Sequence, residues 1–166
     1  LVEYLTKEGA LVQIADINEG RLEEVSKKYG ASIYTGSDLY TADVDIYAPC
    51  ALGATINDDT VYKINAKVIA GAANNQLANE NVHGPILQER GIVYAPDFLI
   101  NAGGIVNVYA EIAHYDKAES MRRTENIYNT TLEIFDYAKA NNLTPQKAAM
   151  AIVELRIEQR KKENAK

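Results

Sequence analysis

The chain has 166 residues, 47% hydrophobic and 24% charged, the balance of a soluble globular protein with length for one sizeable core and not for two full domains. Its 23 acidic and 17 basic residues leave a net charge of −6, which argues against a nucleic-acid or anionic-membrane partner. Cys50 is the only cysteine, so no internal disulfide forms and nothing points to secretion; a cytoplasmic setting is expected. No apolar run reaches the roughly 20 residues of a membrane span.

The opening residues, Leu1-Val2-Glu3-Tyr4-Leu5, resemble neither a signal peptide nor a start with methionine. Residues 1–8 carry Val2 and Leu5 at helical spacing and stop at Gly9, a helix C-cap. Residues 10–15 are a short apolar run ending at Asp16. A run bounded in this way predicts a buried strand of a parallel sheet. Asn18 or Asp16 caps the next helix, which Leu22, Val25 and Tyr29 mark and Gly30 closes. The pattern then repeats, with strands expected over 44–48, 67–70 and 92–95 and helices over 57–64 and 79–90. Such alternation predicts an α/β protein, a doubly wound, mainly parallel sheet with right-handed crossovers.

From Ala102 onward no strand signal remains, and helical periodicity runs through 104–114, 117–140 and 145–162. Met121, Ile127, Tyr128, Thr131, Leu132, Ile134, Phe135 and Ala138 make a broad apolar stripe on the middle segment. Thr144-Pro145 is a helix start, with Thr as N-cap and Pro in the first helical position. Arg160-Lys161-Lys162 reads as a solvated helix end favoured by the dipole, or as a site for an anionic partner.

Ligands of doubly wound folds bind outside the carboxyl ends of the strands. The first such end carries Asp16, which either accepts an adenosine ribose, excluding a 2′-phosphate, or simply caps a helix. The next, Ala48-Pro49-Cys50-Ala51-Leu52-Gly53, has small residues against which a cofactor can lie. Without a His, Lys or Arg neighbour in sequence, Cys50 reads as a small buried hydrophobe rather than a nucleophile. Ala70-Gly71-Ala72-Ala73-Asn74-Asn75-Gln76 ends in two adjacent amides, suited to a carboxamide or carboxylate or to turn chemistry. Asn101-Ala102-Gly103-Gly104 precedes a helix and offers free amides to a polar or anionic ligand. His83 and His114 are isolated and read as structural or surface residues, with no metal-ligand spacing. The tyrosines are dispersed and are expected in the core and at interfaces.

Taken in order, Asp16-Ile17-Asn18, Ala48–Gly53, Ala70–Asn75, Gly91–Asp97 and Asn101–Gly104 resemble the cofactor-binding domain of the glutamate/leucine/phenylalanine/valine dehydrogenases, leucine dehydrogenase above all. The resemblance implies NAD-dependent oxidative deamination of an L-amino acid to its 2-oxo acid, in a homo-oligomeric parent. It implies that Asp16 and Ile17 hold the adenosine ribose, that Ala51 and Leu52 line the dinucleotide crevice, and that Ala72, Ala73 and Asn74 flank the nicotinamide, with Asn101 near the reacting end. Asn74 would also reach the substrate, and Ile105 and Val108 would line its side-chain pocket. Where glutamate-specific relatives have a serine, this chain has Val108, which cannot hydrogen-bond a carboxylate, so an apolar substrate is implied.

The family's glycine-rich phosphate loop should lie roughly 20 residues before Asp16, and its catalytic lysines and aspartate belong to a separate N-terminal domain. The expected fold is therefore a Rossmann-like domain lacking its first strand and glycine loop. Residues 1–113 would be the partial dinucleotide-binding domain and 114–166 helices packed on it. No catalytic residue is expected within the chain, which alone should be inactive and bind NAD poorly. Alternatives are a non-catalytic nucleotide-binding or assembly module, or a phenylalanine or valine dehydrogenase.

Overall fold

The computed structural model describes residues 1–165. The chain divides into two compact units, Leu1–Ala42 and the part from Asp43 onward.

In the first unit, helix α1 (Val2–Lys7) is followed by strand β1 (Gln13–Ile14), helix α2 (Glu19–Tyr29) and strand β2 (Ser32–Ile33), then a 3-10 turn at Leu39–Thr41. β1 and β2 are parallel, with Gln13 opposite Ser32 and Ile14 opposite Ile33. Asn18 is the N-cap of α2, its side chain accepting the Arg21 N–H, and Gly30 ends the helix in the left-handed region at φ 72°. β2 has no counterpart among the expected strands. Two residues flanked by polar and glycine-rich chain are too few for a period-2 pattern to register, and the strand exists because α2 returns the chain alongside β1. The expectation of buried strands fails in this unit: Leu11 and Ile17 are fully exposed and Ile33 is partly so. The buried residues here, Leu22, Ala31 and Ala42, are few, because one short amphipathic helix covers only a small area of a two-stranded sheet.

The second unit contains β3 (Ile46–Tyr47), β4 (Val68–Ile69) and β5 (Val93–Tyr94), all parallel in that order. Ile46 pairs with Val68 and Val68 with Val93. Further ladder bonds, such as Val68 N–H to Asp45 O and Ala95 N–H to Ile69 O, carry the pairing past the strand ends. The helices are α3 (Glu80–Glu89), α4 (Asp97–Ile100), α5 (Gly103–Ala113), α6 (Lys117–Glu125), α7 (Ile127–Asn141) and α8 (Pro145–Asn164). Asn79, Asp116 and Thr144 accept backbone N–H groups at the starts of α3, α6 and α8, as short polar residues do at N-caps.

Two expected helices are different in the structure. Residues 57–64 form a run of turns. The Thr60 hydroxyl accepts the Asn57 N–H and donates to Thr55 O, while Asn57 Oδ1 accepts the Asp59 N–H. These side chains offer the backbone a local alternative to helical bonding, and buried Ile56, Val61 and Ile64 pin the turns down. The long helix over 117–140 is divided at Asn126, the C-cap of α6 and the N-cap of α7. Thr124, Thr130 and Thr131 each return a hydroxyl to the carbonyl four residues back, an arrangement that bends helices.

The interior of this unit is built from Ile56, Ile64, Ile69, Leu87 and Tyr94, all close to fully buried. A second cluster, Ile134, Ala138, Ala148, Ala149 and Ile152, joins α7 to α8, with Leu99 of α4 packed against it. Of the apolar stripe expected on the middle helices, Ile134 and Ala138 are buried, whereas Met121, Tyr128 and Leu132 are exposed. Among the described residues, no helix is long and apolar enough to cross a membrane.

Candidate functional site

In the second unit the chain leaves the carboxyl ends of β3, β4 and β5 into loops that touch one another through their backbones. Pro49 O accepts the Ala73 N–H at 3.0 Å, and Asn75 O accepts the Ala54 N–H at 2.7 Å. Gly71 lies against the Pro49 backbone with no room for a Cβ, and a Cβ on Gly53 would stand 2.6 Å from Asn74 O. Glycine is needed at both positions because of this backbone approach.

Buried Gln76 holds the β4 loop from inside, its Nε2 donating to Gly71 O at 2.6 Å and to Ala73 O at 2.9 Å. Ala73 is therefore buried, with both backbone groups used within the loop. The Cys50 Sγ accepts the Ala72 N–H at 3.4 Å, and Cys50 is exposed. The expectation of a buried thiol is corrected: Cys50 stands at the rim of the loop cluster, where the Pro49 carbonyl rather than the thiol makes the close contact.

Asn74 and Asn101, separated by 27 residues, meet at this place. Asn101 Nδ2 donates to Asn74 Oδ1 at 2.5 Å and more weakly to Ala72 O at 3.4 Å. Asn101 is half-buried and Asn74 exposed. Among the described residues nothing hydrogen-bonds Asn74 Nδ2 or Asn101 Oδ1, so the pair presents one donor group and one acceptor outward. Ala51, Leu52 and Ala72 are exposed as well.

Helix α5 begins just beyond Asn101 and is apolar on two faces. Gly103 approaches Thr124, and Ala110 is buried; these residues with Asn107 and Tyr115 border an open groove of about 500 Å³ toward α6. Ile105, Val108, Tyr109 and Ile112, spaced at i, i+3, i+4 and i+7, are exposed on another face. The predicted pocket residues Ile105 and Val108 thus share one face of one helix.

Three residues that sequence reasoning gave no role shape this cluster: Gln76, Tyr94 and Asp97. Asp97 is buried, and its carboxyl accepts the Asn75 backbone N–H at one oxygen and the Tyr94 hydroxyl, at 3.0 Å, at the other. Burial, with the Asp97 carboxyl beside it, pushes the Tyr94 hydroxyl far above its ordinary value. In sequence Asp97 stands out only as the last residue of the Gly91–Asp97 segment that carries the family resemblance.

In the first unit Asp16 and Ile17 follow β1. Asp16 Oδ1 accepts the Asn18 N–H at 2.9 Å, and Asn18, not Asp16, caps α2. Asp16 is exposed. His83, in the second unit, is buried and structural: its Nδ1 accepts the Asn79 N–H and its Nε2 contacts Asp58 at 3.0 Å. His114 is the left-handed C-cap of α5.

Comparison with known proteins decides the lineage. Residues 6–164 match the model of the glutamate/leucine/phenylalanine/valine dehydrogenases. The chain belongs to this family. It is 40% identical over its whole length to L-tryptophan dehydrogenase of Nostoc punctiforme, covering 47% of that protein. It is 44% identical over 157 residues to leucine dehydrogenase of Bacillus cereus, covering 95% of this chain and 43% of that one. The crystal structure of L-tryptophan dehydrogenase from Nostoc punctiforme superimposes with a TM-score of 0.92 at 42% identity, over 96% of this chain and 48% of that one. The chain thus spans less than half the length of these relatives. The likeness confirms a Rossmann-like α/β fold with parallel sheets.

Proposed function

We propose that the protein to which this chain belongs is an NAD-dependent L-amino-acid dehydrogenase of the leucine dehydrogenase type, oxidatively deaminating an apolar amino acid to its 2-oxo acid. The chain supplies the cofactor-binding part, with residues 1–113 as the dinucleotide portion and 114–166 as helices packed on it. NAD, when bound, supplies a hydride acceptor.

The observation that carries this reading is the Asn74–Asn101 amide pair. Its free donor and acceptor, Asn74 Nδ2 and Asn101 Oδ1, match the carbonyl and amino groups of a nicotinamide carboxamide. The exposed small residue Ala72 beside the pair, with Ala51 and Leu52 on the neighbouring loop, leaves the cofactor free to lie against backbone; Ala73 lends shape from beneath. Gly104 fits the same purpose, for nothing lies within 4 Å of a Cβ built there. In the first unit, exposed Asp16 would accept ribose hydroxyls and repel a 2′-phosphate, which favours NAD over its phosphorylated form, with Ile17 beneath the adenosine.

Asn74 would also hold the amino-acid substrate, and exposed Ile105 and Val108 would take up its side chain. Neither offers a hydrogen bond, so an acidic side chain would lose its hydration there uncompensated. The names of the two relatives, for leucine and for tryptophan, agree with an apolar substrate. Exposed apolar residues of α8, among them Met150, Val153 and Ile157, favour a homo-oligomeric parent. The net charge of −6 weighs against a nucleic-acid or anionic-membrane partner, and the single cysteine agrees with a cytosolic setting.

The test is reduced-nicotinamide formation by the family-length protein containing this chain, with NAD and NADP each supplied and leucine, valine, isoleucine, phenylalanine, tryptophan and glutamate offered in parallel. Higher kcat/KM for an apolar substrate supports the reading, and preference for glutamate or for NADP overturns it.

A further inference from the structure

We propose that Asp97 is a positioning residue, which sets the Asn74–Asn101 amide pair in its outward-facing arrangement. The inference depends on the cofactor reading above only for what the pair recognises.

Asp97 and Asn101 lie at i and i+4, at the start of the single-turn helix α4 and just past its end, and Asn101 donates its backbone N–H to Asp97 O at 3.0 Å. Residues so spaced share a helix face. From that face both reach the same short stretch of the β4 loop. Asp97 takes the backbone N–H of Asn75, and Asn101 takes the side chain of Asn74. Helix α4 is itself fixed: Pro96 before it is fully buried, and Leu99 within it packs on the α7–α8 cluster. The two contacts therefore transmit the position of the helical layer to two consecutive asparagines.

Asn75 needs such a hold. It sits in the left-handed region at φ 52°, which an asparagine tolerates but does not prefer. Its carbonyl is bonded to Ala54 N–H; with Asp97 on its amide, both backbone groups are committed. Fixing Asn75 fixes the direction in which the Asn74 side chain leaves the loop. Tyr94 locks the Asp97 rotamer, since its hydroxyl donates to the second carboxyl oxygen.

A buried carboxyl is an expensive way to satisfy one amide. Among the described residues Asp97 has no ion-pair partner, and its contacts are one amide and one phenol. What distinguishes a carboxyl here is two oxygens on a short side chain, one for the loop after β4 and one for Tyr94 of β5. Gln76 complements this from the other side by holding Gly71 O and Ala73 O, but it touches neither asparagine side chain.

The experiment is amide hydrogen exchange and side-chain NMR on the ¹⁵N-labelled 166-residue protein and its Asp97→Ala, Asp97→Asn and Tyr94→Phe variants, with a separate titration of the family-length protein with NAD. Asp97→Ala is expected to speed exchange of the Asn75 amide by about tenfold or more, the scale of a lost buried hydrogen bond. It should abolish the close contact between the Asn74 and Asn101 side chains while the amides of Ile134 and Ile152 keep their protection. Asp97→Asn should rescue, because its Oδ1 can accept the Asn75 N–H while its Nδ2 donates to the Tyr94 oxygen.

An unchanged Asn74–Asn101 contact in Asp97→Ala overturns the proposal. So does an equal loss of protection throughout α7 and α8, the mark of a merely structural role. If Asp97→Ala does not fold, Tyr94→Phe decides: faster Asn75 exchange supports the proposal and wild-type exchange overturns it. NAD-induced shifts at the Asn74 and Asn101 side chains in the unmutated family-length protein test the cofactor reading separately. If they are absent, that reading falls, and the exchange data still decide the role of Asp97.

Discussion

Gly71 packs so closely on Pro49 that a Cβ at Gly71 would overlap the proline's carbonyl oxygen, nitrogen and carbon. The neighbours are backbone atoms of an adjacent loop, which no side-chain rotation can move aside. The turns after β3 and β4 are held together at this point, and the Ala73 N–H to Pro49 O bond lies next to it.

Gly71→Ala is therefore expected to destabilise the second unit by about 1–3 kcal/mol, the usual cost of overpacking. Gly104→Ala is the contrasting case. Nothing stands within 4 Å of its Cβ, and the residue lies in the first turn of α5, where alanine is favoured over glycine by up to about 1 kcal/mol. Urea midpoints should fall for the first variant and hold or rise for the second. NAD affinity should fall in both if a cofactor lies against Gly104.

The amide pair gives a sharper test of recognition. Asn101→Ala removes the donor that orients Asn74 and exposes Asn74 Oδ1 to water. Two hydrogen bonds to the cofactor, at about 0.5–1.5 kcal/mol each, predict a weakening of NAD binding by roughly tenfold, with little change in thermal midpoint. Calorimetric titration of the family-length protein with NAD reads the effect. Unchanged affinity would remove the pair from the cofactor site.

Tyr94 predicts an alkaline sensitivity. Burial first, and then the adjacent Asp97 carboxyl, raise its folded-state pKa above the ordinary value of about 10. The folded state thus holds the proton more tightly than the unfolded state. This contribution to stability is fully present below pH about 10 and is lost as pH rises beyond it. Urea midpoints should drop between pH 9 and 11 (about one unit either side of the ordinary tyrosine value), and Tyr94→Phe should flatten the drop. Of the eleven tyrosines, Tyr94 should ionise only as the protein unfolds, which tyrosinate absorbance can follow.

Val108 is exposed on the same face of α5 as Ile105 and Ile112. In the family-length protein, Val108→Ser is expected to reduce kcat/KM for leucine about 5- to 150-fold, since losing methyl contacts in an apolar pocket involves roughly 1–3 kcal/mol. Equal activity of the variant and the parent would place the side-chain pocket elsewhere.

The legible parts of the site were those carried by local composition. Small residues and amides after β4 and the Asn-Ala-Gly-Gly run before α5 mark the loops, and the structure brings Asn74 and Asn101 into contact. Burial was less legible. Cys50 reads in sequence as a small buried hydrophobe and Leu11 as part of a buried strand, yet both are exposed, because exposure depends on what other elements cover. The turns at 57–64 carry apolar residues at helical spacing, but Thr60 and Asn57 divert the backbone bonds.

By itself the sequence determined the helix starts at Asn79 and Thr144 and the identities of β3, β4 and β5, and it narrowed the start of α2 to Asn18 or Asp16. The caps are contacts within three residues along the chain, and a short apolar run is enough to mark a strand. Only the tertiary structure decided that β2 pairs with β1 and that residues 57–64 are turns. It also assigned the buried Asp97 carboxyl to Asn75, 22 residues away, rather than to the start of a helix. Such a contact depends on which loops the parallel sheet places side by side, and the strand register, not the local sequence, fixes that.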